Sequence, residues 1–165
     1  MKQPNKLPQE TIDLLLPRLA DEFKAFYFYR SLSNWCKNVG FDKAAEYFTK
    51  ESEDELSHAK KLEDFMVLWN VTPNLPVITQ PVLEFTDLAD GIQRAYDMEY
   101  ELYENYEETS IKIMKSGDVC AFDLLQFFRN QQTTSVGEYS DMINKLDGVN
   151  TKDKFQMLML EKKLF

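Results

Sequence analysis

Apolar side chains recur every three or four residues through four long stretches of the chain, the period of an amphipathic helix. The first stretch, about residues 10–39, carries Ile12, Leu15, Leu19, Phe23, Phe26, Leu32, Trp35, Cys36 and Val39. Gly40 follows it as an expected left-handed cap. The second, about 42–70, opens at Asp42, an expected N-cap, and carries Phe41, Ala44, Ala45, Phe48, Leu62, Phe65, Met66 and Trp69 ahead of Thr72-Pro73. The third, about 86–115, carries Leu88, Ile92, Ala95, Leu102, Tyr106, Thr109 and Ile113. The fourth, about 118–147, carries Ala121, Leu124, Leu125, Phe128, Tyr139, Met142, Ile143 and Leu146. A short amphipathic piece, about 151–163, adds Phe155, Leu158, Met159 and Leu160.

The connections predict the topology. Short breaks at Gly40 and at Ser116-Gly117-Asp118 make two antiparallel helical hairpins. Residues 71–86, VTPNLPVITQPVLEFT, hold three prolines and no helical period. A helix of this length spans about 40 Å, and the connection reaches about 50 Å when extended. It can therefore run the length of the molecule and start the third helix parallel to the second. The expected fold is all-α: one domain over 1–165, a four-helix bundle with one long crossover and a short fifth helix.

Each apolar stripe is broken near its middle. The walk along the first helix meets Glu22; along the second, Glu55 and His58; along the third, Glu99; along the fourth, Gln132 and Ser135. Midpoints share one level in a bundle, so three carboxylates, one imidazole and one carboxamide should converge. Crowded buried carboxylates resist ionising, through desolvation and mutual repulsion. No Lys or Arg lies on the broken stripes to neutralise them. Protonation or bound cations remain. Carboxylates with one imidazole suit a divalent first-row metal such as iron, manganese or zinc. E-L-S-H alone, residues 55–58, would usually be a solvated ion pair; the coincidence over four helices makes it a metal motif. Glu51, near the same stripe, is a further candidate ligand.

Composition narrows the function. The chain of 165 residues has a formal net charge of −9, which disfavours nucleic acid as a partner and suits cations. No apolar run is long enough to span a membrane, and MKQPNKLPQE contains no secretory apolar core. Cys36 and Cys120 lack metal or redox spacing and read as reduced thiols of a cytoplasmic protein. Tyr27, Phe28, Tyr47, Tyr100 and Tyr103 lie off the stripes and are expected to be exposed, as patches that another surface would cover.

The segments YRSLSNWC (29–36), AAEYFTKESEDELSHAKKLEDF (44–65), NLP (74–76) and FDLLQFFRNQQ (122–132) resemble those of non-haem bacterial ferritins. The likeness runs over essentially the whole chain and implies a ferritin-like fold. It implies that Glu22, Glu55 and His58 bind a first iron, and Glu55 and Glu99 a second, with Gln132 close by. The implied activity is ferroxidase, the oxidation of Fe(II) to Fe(III) by oxygen or peroxide at a di-iron centre. The implied product is a ferric mineral, stored in a homo-oligomeric shell of twenty-four subunits. Tyr29 matches the family's tyrosine beside the centre, an electron donor; its plain alternative is a core aromatic with a satisfied hydroxyl. The fifth piece is similar to the family's short helix around the fourfold channels, or is simply a packed tail.

The chain departs from the family's pattern at Ser135, where many members carry a glutamate, and at Gln131, Thr133 and Thr134, near a third iron site in some. A weaker second iron and no third site are expected. Haem is not expected: bacterioferritins use a second E-x-x-H and a methionine after the bridging glutamate, and here Leu56 follows Glu55 with a single histidine in the chain. Two other classes stay open: a binding protein that holds metal without rapid oxidation, and a metal-free scaffold bundle.

Overall fold

A computed structural model describes residues 3–81 and 84–165. The first two residues of the N-terminal segment and residues 82 and 83 of the crossover lie outside the described residues. Five helices follow in order: α1 (Gln9–Val39), α2 (Asp42–Leu68), α3 (Leu88–Ser116), α4 (Val119–Leu146) and α5 (Lys154–Leu164). The fold is all-helical, a four-helix bundle core with a short C-terminal helix. α1 packs along α2, α3 along α4, and α1 also lies against α3.

Local chemistry accounts for the ends. Gly40, at φ 89°, follows α1 in the left-handed region. The Phe41 amide bonds the Cys36 carbonyl at 2.8 Å and the Gly40 amide the Lys37 carbonyl at 3.3 Å, which closes the helix. Trp35 and Phe41 stack across this turn, ring centroids 6.4 Å apart. α2 ends earlier than the proline-based reading, because Asn70 takes φ 58°. The Val71 amide then returns to the Met66 carbonyl at 2.9 Å. The side chains of Asp87, Asp118 and Asp153 cap α3, α4 and α5.

Asp42 does not cap α2. The capping position is Phe41, which has no side chain for the task, and Asp42 pairs instead with exposed Lys37 at 2.7 Å. The cap comes from α5: buried Glu161 accepts the Ala44 amide at 2.8 Å. This also corrects the reading of α5. Leu158 and Leu160 pack half-buried against the core as expected, but the fully buried positions are Met157, Glu161 and Leu164, and Phe155 and Met159 are 72% and 55% exposed. The helix is rotated so that Glu161 reaches α2.

The bundle core is two clusters, not one. One groups Leu32, Phe48, Leu88, Ile92, Met142 and neighbours; the other groups Leu15, Leu19, Leu62, Ile113, Leu125 and neighbours. Between them lie buried Glu22, Ser52, Glu55, His58, Glu99 and Gln132. Of the off-stripe aromatics, Tyr27 and Tyr100 are exposed. Phe28, Tyr47 and Tyr103 are half-buried, contrary to expectation. Phe28 meets the Phe85 ring edge-on at 6.0 Å, and Tyr47 packs on Phe165 at 5.0 Å, because α5 and the end of the crossover cover that flank.

Candidate metal centre

The polar layer is assembled by helical spacing. Glu55 and His58 sit three residues apart on α2, so their side chains meet on one face. His58 Nδ1 lies 3.2 Å from Glu55 Oε2 and 3.4 Å from Glu22 Oε2 of α1. One ligand atom from each of these three residues falls within 4.8 Å of the others. Glu22 Oε2 is buried and accepts no hydrogen bond. Its other oxygen, Oε1, accepts from the Tyr106 hydroxyl of α3. Phe127 and Phe128 of α4 close on the His58 ring edge-on, centroids 5.7 and 5.9 Å away.

Glu99 of α3 stands on the other side. Its Oε1 accepts from the Tyr29 hydroxyl of α1. Turned to donate, the Gln132 amide reaches Glu99 Oε2 at 2.7 Å and the Glu99 carbonyl at 3.3 Å. Ser135 is half-buried one turn further along α4, and Glu51 is half-buried one turn before Glu55. Glu53 and Asp54 are exposed.

The electrostatics are those of an unneutralised site. Burial, and then the Glu22 and Glu99 charges, hold the Glu55 carboxyl well above the usual carboxylate range. Burial pushes Glu99 up to about 8, against the opposing pull of the Tyr29 hydroxyl. Glu51 rises to about 7, by burial first and then by Asp54 and Glu138. Burial and the neighbouring carboxylates keep Tyr29 and Tyr106 protonated far above the normal phenol range. Among the described residues no Lys or Arg forms an ion pair with Glu22, Glu55 or Glu99; His58 is their only basic neighbour within ion-pair distance. A divalent cation would remove the repulsion and occupy Glu22 Oε2.

The sequence reading therefore meets its residues where the stripes broke. Glu22, Glu55 and His58 come together, Glu99 and Gln132 form a hydrogen-bonded pair beside them, and Tyr29 touches Glu99. It missed Tyr106 as anything but core. A signal existed: Glu22 and Tyr29 are seven residues apart, and so are Glu99 and Tyr106. Each tyrosine reaches across to the other helix's glutamate. It also missed Ser52, buried one turn before Glu55 and bonded to the Thr49 carbonyl at 2.6 Å.

The chain is similar to known proteins in sequence and in fold. The bacterial non-heme ferritin of Escherichia coli O6:H1 is 24% identical over 140 residues, 85% of each chain. A probable bacterial non-heme ferritin-like protein of Haemophilus influenzae is 26% identical over 144 residues, 86% of each. Among solved structures, an open pore ferritin from the archaeon Archaeoglobus fulgidus superposes with a TM-score of 0.90 at 21% identity, over 96% of this chain and 98% of that one. Among the described residues no helix is long and apolar enough to cross a membrane. The family model for the ferritin-like domain matches residues 12–149, and the chain belongs to the ferritin family.

Proposed function

We propose that the protein is an iron-storage ferritin with ferroxidase activity. Ferrous iron is its substrate, bound first by Glu22, Glu55 and His58 and then by Glu55 and Glu99 with Gln132 alongside. Two Fe(II) ions give one electron each to oxygen. With two protons the oxygen leaves as hydrogen peroxide, and two Fe(III) ions remain to hydrolyse and pass to the mineral. The observation that carries this reading is the buried layer of three carboxylates and one imidazole that splits the apolar core without a neutralising Lys or Arg. Such a layer destabilises a bundle as pH rises unless protons or cations neutralise it.

The contact between the Tyr29 hydroxyl and Glu99 supports a role as auxiliary donor. Tyr29 would lose an electron to the oxidising centre and its hydroxyl proton to Glu99, and a later Fe(II) would restore it. Exposed Phe155 and Met159, four residues apart on α5, and exposed Tyr27 and Tyr100 support assembly into a closed shell, for which we propose twenty-four copies. Two free cysteines, one buried and one exposed, suit a reducing cytoplasm.

The test is to mix metal-free protein with Fe(II) in air and follow ferric absorbance. A fast phase saturating near two irons per chain, lost in Glu55→Ala and His58→Ala, is expected. A wild-type rate equal to that of protein-free solution overturns the ferroxidase reading. One observation favours slow oxidation at a filled site instead. Both Glu99 oxygens are already hydrogen-bonded, and Ser135 stands where many members of the family carry a glutamate. That alternative predicts metal binding without the fast phase.

A further inference from the structure

The Tyr106 side chain is wholly buried, and its hydroxyl is spent on one oxygen of one carboxylate, Glu22 Oε1. Two groups flank the ring. It stacks on Phe128 with centroids 4.9 Å apart and planes 8° from parallel, and Phe128 in turn meets the His58 ring. The Arg18 guanidinium lies 6.0 Å from the Tyr106 centroid. Arg18 is itself fixed by Asp21 at 2.8 Å and by Thr109 at 3.0 Å. A tyrosine has two side-chain torsions, and complete burial against the stacked Phe128 ring restricts both. The hydroxyl is therefore a fixed donor, and it determines which oxygen of Glu22 faces the layer. The oxygen left over, Oε2, has no hydrogen bond and lies 3.4 Å from His58 Nδ1.

We propose that Tyr106 is a positioning residue of the metal centre: its hydroxyl holds Glu22 Oε1, so that Glu22 meets the first ion through Oε2 alone. The proposal rests on the metal-binding reading above. Tyr106 acts on the ion only through Glu22. It keeps one coordination position open that a chelating carboxylate would fill, which is where a further oxygen ligand can enter. The exchange is reciprocal with Tyr29 and Glu99, so each terminal carboxylate of the pair is set by a phenol from the opposite helix. Partners of this kind, which orient a ligand without touching the metal, typically change metal affinity by about 10- to 100-fold when removed.

The experiment uses Co(II) as a redox-inert, coloured probe on the assembled, metal-free protein, added up to one equivalent per chain. Far-ultraviolet circular dichroism first checks that each variant is folded. Tyr106→Phe should weaken the first Co(II) by about tenfold or more. It should also shift the visible bands and lower their intensity, as Glu22 swings to bind through both oxygens. In the Glu22→Ala background, adding Tyr106→Phe should cost nothing further, because the residue through which it acts is gone. Wild-type affinity and spectrum in Tyr106→Phe overturn the proposal, as does an equal loss with and without Glu22. If wild type itself binds no Co(II), the metal reading falls first. If wild type binds and Tyr106→Phe is indistinguishable from it, only the role of Tyr106 falls.

Discussion

Glu99→Gln should make the metal-free protein more stable at neutral and alkaline pH. The carboxyl of Glu99 is fully buried, and its pKa stands near 8 in the fold against an ordinary 4.5. Between those values the folded state keeps a proton that the unfolded chain releases. Stability is therefore fully present below about 4.5 and is lost as pH rises through 8, at about 1.4 kcal/mol per pH unit. At about pH 7 the accumulated loss is about 3 kcal/mol. Glutamine has the same shape and carries no charge. Its carbonyl can accept from Tyr29, and its amide can donate to the Gln132 carbonyl in the other amide orientation, which keeps both side-chain contacts and gives up only the longer bond from Gln132 to the residue 99 backbone carbonyl. The assay is urea unfolding of chelator-treated protein at several pH values from about 5 to 8, at one protein concentration because assembly adds to apparent stability. Wild type should weaken steeply across this range and Glu99→Gln should stay flatter, with the two alike near the acid end. Saturating Co(II) should reverse the ranking, since the cation stabilises only the charged carboxylate. Parallel curves for the two metal-free proteins, or a weaker Glu99→Gln near pH 8, refute the reasoning.

Loading the site at about pH 7 should release protons, because Glu55 and Glu99 are held neutral until a cation arrives. Calorimetry of Co(II) binding in buffers of different ionisation heat reads this directly, and a heat independent of buffer contradicts it. Glu161→Ala should lower stability by about 1–2 kcal/mol in urea unfolding, as expected for a lost cap on α2, while first-site Co(II) affinity stays at the wild-type value. Gln132→Ala should weaken the second Co(II) more than the first, because it removes the donor on Glu99 and leaves Glu22, Glu55 and His58 untouched; equal weakening of both would show the two positions to be inseparable. Gly117→Ala should cost about 1 kcal/mol, since the residue sits at φ 79° where a side chain strains the backbone.

The helices and the level of the site are legible in the sequence. Helical periodicity is a local property: a residue's face follows from its distance along the chain, so Glu22, Glu55, His58, Glu99 and Gln132 could each be assigned an inward direction from spacing alone. The break and acidic cap at Asp118 are local too. Asp42 is not the cap because the helix starts one residue early, with Phe41 at the capping position. Glu161, 117 positions beyond Ala44, took the amide, and it then decided which face of α5 turned inward.

Helical spacing alone implies that polar groups interrupt the core at one depth, and that most of them are carboxylates. Which oxygen of each is free follows from how the helices pack. That choice depends on the rotation and axial register of α1 against α3, which bring Tyr106 to Glu22 and Tyr29 to Glu99 across separations of 84 and 70 residues. Spacing within a helix is set by its own geometry. A hydrogen bond between helices depends on ångström-level offsets fixed by the whole packed core, and no local pattern encodes them.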